Sequence, residues 1–279
     1  MKTKTNTESA NHNMKAKEQK NKAQERRING PGLATIAFIL FPFAFLLLLS
    51  VGRRWAYPAL LPGEWTLDNW LAVWGAQAGL GASLALSLAL SLSIAIVSTW
   101  SSFWVSKQVA CHRHRRRWLV MAYLPYVFAP VILAACLQYF FIRAGLSGRL
   151  EGVAIAQLFI TFPYGLIFFT SFWTERMLSL EQLIATLGGN TWQAYTRVLL
   201  PVAKGAIMTC FFQLFLISWF EYGLTALIGV GKVQTLTLKV FQYVNEANIF
   251  FAALASCLLV LPPVVLLWLN KRYVFSKMI

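Results

Sequence analysis

Six long apolar runs alternate with shorter polar stretches, near residues 33–51, 80–104, 118–142, 152–173, 206–229 and 248–269. Coiled as a helix, each can cross a hydrocarbon layer of ~30 Å, which takes about 20 residues at 1.5 Å per residue. A period of two shows between Leu84 and Leu92, but the run is too long and too uniformly apolar for a barrel strand. The pattern predicts an all-α membrane protein with six transmembrane helices. In the second run Ser83, Ser87, Ser91 and Ala95 recur every four residues, a stripe of small side chains that lets another helix approach closely. Pro125, Pro130, Pro163, Pro262 and Pro263 fall in the third, fourth and sixth runs. Each removes a backbone hydrogen bond there and is expected to introduce a kink.

Residues 1–29 are polar and mixed in charge, with almost no large apolar side chain to offset the entropy of ordering. They are expected to be a disordered cytoplasmic tail, with residues 30–279 as the membrane domain. The tail is too long and too mixed in charge for a signal-peptide n-region, and no small-residue cleavage pattern follows the first span, so that span is expected to stay. The outer loop Gly52–Ala78 carries Trp55, Tyr57, Pro58, Pro62, Trp65 and Trp70, a mixture suited to the membrane surface.

Between the fourth and fifth runs lies a loop with local structure of its own. Ser179 followed by Gln182 has the form of a capping box, with Glu181 in the first turn. Leu180, Leu183, Ile184 and Leu187 then make one apolar face of a short helix. Gly188 and Gly189 end it. Asn190 is an N-cap with Gln193 three residues on, so a second short helix is expected to carry Trp192, Tyr195 and Leu199 on one side until Pro201.

This helix, glycine elbow and helix resembles the cytoplasmic signature of the permease subunits of binding-protein-dependent ABC importers: E-A-A, three residues, G, nine residues, I, one residue, L-P. Aligned on Gly188, the chain supplies Val198, Leu200 and Pro201 at the matching positions. The first half departs: Gln182, Leu183 and Ile184 occupy the E-A-A positions, and Glu181 is one residue early. The segments Phe220–Gly223 and Gly229–Leu238 look like permeases of the iron, thiamine, phosphonate and polyamine groups. The resemblance implies a six-span permease domain with a cytoplasmic coupling loop at 179–201. Its partners would be ABC ATPase subunits, a second permease subunit, identical or related, and a periplasmic substrate-binding protein. The residues implied in ATPase coupling are Glu181, Gln182, Leu183, Ile184, Gly188, Gly189, Trp192, Val198, Leu200 and Pro201.

Composition agrees with the membrane reading: 58% hydrophobic and 13% charged residues exclude a soluble domain. Charge decides the orientation. With both termini cytoplasmic, the tail, the loops 105–117 and 174–205 and the C-terminus hold 8, 5, 3 and 3 of the 25 Lys and Arg, an asymmetry that puts the signature loop on the cytoplasmic side; the membrane that the resemblance implies is a bacterial inner membrane. The net charge of +15 then has a membrane explanation, and nucleic acid is not an expected partner. The loop Cys111–Arg117 is expected to anchor orientation and meet anionic lipid. His112 and His114 sit among bases that repel a cation, and the cysteine spacing suggests no metal site.

No Walker A pattern, nucleophile elbow or pair of catalytic carboxylates occurs. No catalytic residue or cofactor is expected, and driving force must come from a partner or an ion gradient. Glu221 is the one acid inside a predicted span, where an ionised group costs on the order of 2.5 to 3.5 kcal/mol. With Gln213, Ile217 and Thr225 it recurs every four residues, so Gln213, Glu221 and Thr225 are candidates for a stripe facing the translocation path or a sister subunit. Hydration of Glu221 near the outer interface is the alternative. A self-sufficient secondary carrier using Glu221 as its ion or proton site is the rival function, disfavoured by the single membrane acid and the elaborate loop.

Overall fold

The computed structural model describes residue 32 and residues 35–54, 63–73, 75 and 79–273. The expected tail 1–29, with Trp55, Tyr57, Pro58 and Pro62, lies outside them. Residues 1–49 and 50–279 are separate compact units. In the first, α1 (Thr35–Ser50) is apolar but shorter than a straight span needs, and Phe41 stacks on Phe45 at 6.0 Å.

The second unit opens with a small antiparallel ribbon, β1 (Gly52–Arg54) and β2 (Glu64–Trp65), and a short helix α2 (Asp68–Ala72). Asn69 ties them by donating to the carbonyl of Gly52 at 2.9 Å. The long helices follow: α3 (Leu80–Cys111), α4 (Arg115–Tyr123), α5 (Pro130–Arg143) and α6 (Leu150–Thr170). Next come α7 (Glu175–Thr186), α8 (Thr191–Gln193), a π-helical turn (Ala194–Leu199) and α9 (Leu200–Trp219). The chain ends in α10 (Gly223–Gly229), α11 (Leu236–Asn245) and α12 (Ile249–Tyr273). Among the described residues four helical stretches are long and apolar enough to cross a membrane: Leu80–Cys111, Leu150–Thr170, Ala194–Trp219 and Ile249–Trp268. This is an all-α membrane protein.

Two expected spans are broken. The run 118–142 is not one helix: Arg115–Tyr126 and Pro130–Arg143 meet at 97°, and together they make a fifth span only as a bent pair. Pro130 pushes Ala129 into an extended conformation (ψ 144°) and opens α5, as the ring of a proline disfavours helix in the residue before it. Pro163, Pro262 and Pro263 instead lie inside continuous helices. The run 206–229 also divides, since α9 ends at Trp219 and α10 begins at Gly223. Gln213, Ile217, Glu221 and Thr225 therefore do not share one helix.

The core forms where α3 lies against α6 and α9. The serine stripe faces it: Ser83, Ser87, Ser91 and Ala95 are buried, and so are Ser98, Ser102 and Ser106 further along. Backbones are close enough that a Cβ on Gly165 would stand 2.3 Å from Ser102 Oγ. Phe103 is buried in the same core, edge-on to Phe169 at 5.2 Å. Buried polar groups find partners across helices: Leu236 N–H donates to Ser87 Oγ at 2.7 Å, and Trp219 Nε1 to the Leu259 carbonyl at 2.8 Å.

Candidate functional site

Two places combine unusual chemistry with a structural reason for it: the elbow between α7 and α8, and a polar node below α10. At the elbow, Gly188 has φ +77° and Gly189 N–H donates to the Ile184 carbonyl at 2.9 Å, the long bond of a Schellman end. A Cβ on Gly189 would stand 2.6 Å from Ile184 Cγ2, so the first glycine supplies the conformation and the second the room. Asn190 N–H then donates to Gln193 Oε1 at 3.2 Å, the returning arm of a capping box.

Three local expectations need correction. α7 begins at Glu175 rather than Ser179, because Glu175 already supplies the acid that favours a helix start. The second short helix does not stop at Pro201; it runs through the π turn into α9, with Pro201 in the first turn of that helix. The proline cannot donate, and Leu200 N–H reaches back five residues to Tyr195, so the wide turn takes up the misfit just before the ring. The same widening separates Trp192, which is exposed, from Tyr195 and Leu199, which are buried.

The elbow has an anchored side and an open side. Tyr195 stacks on Trp104 of α3 at 4.6 Å, and Lys107 Nζ lies 4.7 Å from the tyrosine ring centroid, a cation–π contact that pins the π turn to α3. On the open side Leu183 is 56%, Leu187 79% and Trp192 65% exposed. Gln182 and Pro201 are exposed as well, while Ile184, Val198 and Leu200 are half-buried. Glu181 is on α7 with a side chain outside the described set.

The node is the converse. Glu221, buried in the break after α9, accepts from Leu224 N–H at 2.6 Å, Thr225 N–H at 3.0 Å and Thr225 Oγ1 at 2.8 Å. Its carboxylate restarts the chain as α10 by satisfying donors that a helix start leaves orphaned. Gln157 of α6 extends the set, donating to Thr225 Oγ1 at 3.0 Å and accepting from Ser218 Oγ at 2.6 Å. α10 also abuts α5 so closely that a Cβ on Gly223 would lie 2.9 Å from the Val131 nitrogen. Gln213 is apart from this set and accepts from Tyr164 OH at 3.2 Å. Gln157 and Ser218 are the members that sequence reasoning missed, and Gln157 is the one that left a signal: a lone amide in an otherwise apolar run needs a partner.

Residues 109–278 match the protein family described as binding-protein-dependent transport system inner membrane component. Among curated proteins, the chain is 24% identical over 257 residues to the inner membrane ABC transporter permease protein YcjP of Escherichia coli, covering 88% of this chain and 91% of that one. It is 30% identical over 165 residues to the molybdenum transport system permease protein ModB of Mycobacterium tuberculosis, covering 53% and 62%. To the chloroplastic sulfate permease 2 of Chlamydomonas reinhardtii it is 27% identical over 164 residues, 53% of this chain and 44% of the relative's length. A solved bacterial ABC transporter involved in import of the acidic polysaccharide alginate shares the fold, with a TM-score of 0.60 at 16% identity over 88% of this chain and 96% of that one.

Proposed function

The chain belongs to the family of binding-protein-dependent transport system inner membrane components, and from that premise we propose that the elbow at 179–201 is the lever by which a cytoplasmic ATPase drives transport. The protein is a multi-pass inner-membrane permease subunit of an ABC importer, not an enzyme. The observation that carries the proposal is the open side of the elbow. Leu183, Leu187 and Trp192 are apolar and exposed on a turn shaped by Gly188 and Gly189 and tied to α3 through Tyr195, and a tryptophan with leucines on a braced scaffold suits a buried anchor in a partner's groove. Glu181, Gln182 and Ile184 would complete the α7 contact, with Val198, Leu200 and Pro201 carrying the push into α9.

The assembly is two permease subunits, two ATPase subunits and a periplasmic binding protein, with both termini of this chain cytoplasmic and six crossings once α1 and the bent pair are counted. Closure of the ATPases on ATP would move α7 and the π turn, and through α9 rock the bundle between inward- and outward-facing states. Gln213, half-buried beside Tyr164, would face the path, and Glu221 and Thr225 would brace its wall through α10. The carboxylate of Glu221 is committed to three donors, which fits a brace better than the ion site of a self-driven carrier.

Crosslinking from a cysteine at Thr186 or Trp192 in native membranes is the test, and capture of an ATP-hydrolysing subunit is expected. Uptake into vesicles is expected to require ATP on the cytoplasmic side and to ignore uncouplers. Normal transport with no such capture sinks the proposal.

A further inference from the structure

A groove runs along α3 between α4 and α6. Its end beside the loop Cys111–Arg117 is a cavity of about 350 Å³ walled by Val109, His112, Trp118, Met121 and Leu166. Its far end, deeper along α3, is a second of about 330 Å³ walled by Val97, Pro125, Ile155 and Phe159. Phe162 and Pro163 line both, so the two cavities adjoin at these residues and together make a trough with mostly apolar walls. From Val97 to His112 the axis of α3 rises about 22 Å. One leaflet of a bilayer, headgroups included, takes about 20–22 Å.

The polar end of the trough is cationic. Arg113, Arg115, Arg116 and Arg117 are all exposed, and among the described residues none of them pairs with a carboxylate. Arg115, Arg116 and Arg117 occupy the first turn of α4, which holds no acid, where the positive end of the helix dipole disfavours cations. Arg115 donates to the carbonyl of Thr170 at 3.3 Å, which holds this turn beside the end of α6. Trp118, edge-on to His112 at 6.2 Å, stands next to the arginines at the cavity, as tryptophans do at the headgroup boundary.

We propose that this trough is a binding site for one anionic phospholipid, its phosphate held by the arginines of α4 and one acyl chain lying along α3 toward Pro125. Charge argues for lipid over a second copy of the chain, which with 25 Lys and Arg against 10 Asp and Glu would bring more repulsion than pairing. The inference rests on the orientation proposed above only for the leaflet that supplies the lipid.

The test places the photoreactive benzoylphenylalanine at Met121 in the full-length permease with its partner subunits, in vesicles of mixed phosphatidylglycerol and phosphatidylcholine. Illumination is expected to capture phosphatidylglycerol, in a yield that glycerol 3-phosphate leaves unchanged. The triple change Arg115→Gln, Arg116→Gln and Arg117→Gln should lower capture about tenfold or more, since each base near an anionic headgroup contributes several-fold. If that variant fails to insert, raised salt on the unaltered arginines must lower capture in the same direction. Equal capture of phosphatidylcholine, displacement by glycerol 3-phosphate, or crosslinking to a second copy or to residues 35–50 overturns the site. Lipid capture at Met121 needs neither ATP nor the ATPase, so a failure of the elbow crosslinks leaves this result standing.

Discussion

At Glu221 a carboxylate is 9% exposed and meets three donors, whereas at Leu187 a leucine is 79% exposed on a turn closed by backbone bonds from Leu187 N–H to Leu183 and from Gly189 N–H to Ile184. The two regions lie at opposite ends of the stretch α7–α10, and each inverts the usual placement of its residue type. Inside the bundle, a buried charge endures because the chain breaks around it and offers backbone donors. At the elbow, apolar side chains stay outside because two glycines fold the helix end back on itself and a buried tyrosine ties the next turn to α3. The first inversion is settled within the chain; the second is the surface proposed above for the ATPase. On the proposed coupling role of the elbow, structure and coupling are separated along one stretch, and the two should respond differently to substitution.

The largest effect is expected at the elbow, where Leu187→Asp combined with Trp192→Ala should remove an interface anchor and cut ATP-dependent uptake about 100-fold or more. The permease should still insert and melt normally. Copurification of the ATPase reads the docking directly, and near-normal uptake by this variant would break the contrast between the two regions.

Next comes Glu221→Ala, which strands two buried N–H groups and the Thr225 hydroxyl and should cost about 3 kcal/mol of stability, given ~1–3 kcal/mol per stranded group and partial relaxation. The midpoint of thermal unfolding in detergent checks it. Glu221→Gln keeps one acceptor oxygen and should lose about half as much. Unchanged uptake by the Gln variant, once corrected for protein level, would remove Glu221 from the path and leave it a structural cap.

Gly189→Ala sharpens the comparison at lower cost. Its Cβ meets Ile184 Cγ2 at 2.6 Å, so about 1–3 kcal/mol of local strain should open the turn. Uptake should fall while the melting midpoint stays, which a readout of ATP hydrolysis against transport will separate. The smallest change is Tyr195→Leu, expected to cost about 1 kcal/mol through the lost stack and cation–π contact. A double-mutant cycle with Lys107→Met measures how much of that is the cation–π contact.

Much of this is legible in the order of the residues. Gly188 announces the elbow, because a pair of glycines after an apolar helical face has few other uses, and the Asn190–Gln193 spacing announces the helix on its far side. The serine stripe on α3 identifies its buried face, since small side chains at every fourth position are of use only against another backbone. Other features are not legible, for reasons that are equally local. Apolar periodicity runs unbroken past Trp219, so the break at Phe220–Tyr222 is invisible until Glu221 is seen accepting from α10. Proline marks a lost hydrogen bond but not its consequence: Pro163 is absorbed by a continuous helix, while Pro125 and Pro130, five residues apart, flank a 97° bend. α-Helical spacing puts Trp192 and Tyr195 on one face, and a π turn rotates them apart.

Sequence alone determined that this chain is a helical membrane protein of its transport family and that a glycine-hinged elbow separates two of its spans, because hydrophobic length, glycine conformation and charge asymmetry act over a few neighbouring residues. Only the tertiary structure decided that Glu221 caps α10, that Gln157 joins it from another helix, and that Tyr195 is pinned while Trp192 is free of the core. Those outcomes depend on which donors, rings and cations arrive from sequence-distant helices, and no local pattern carries that information.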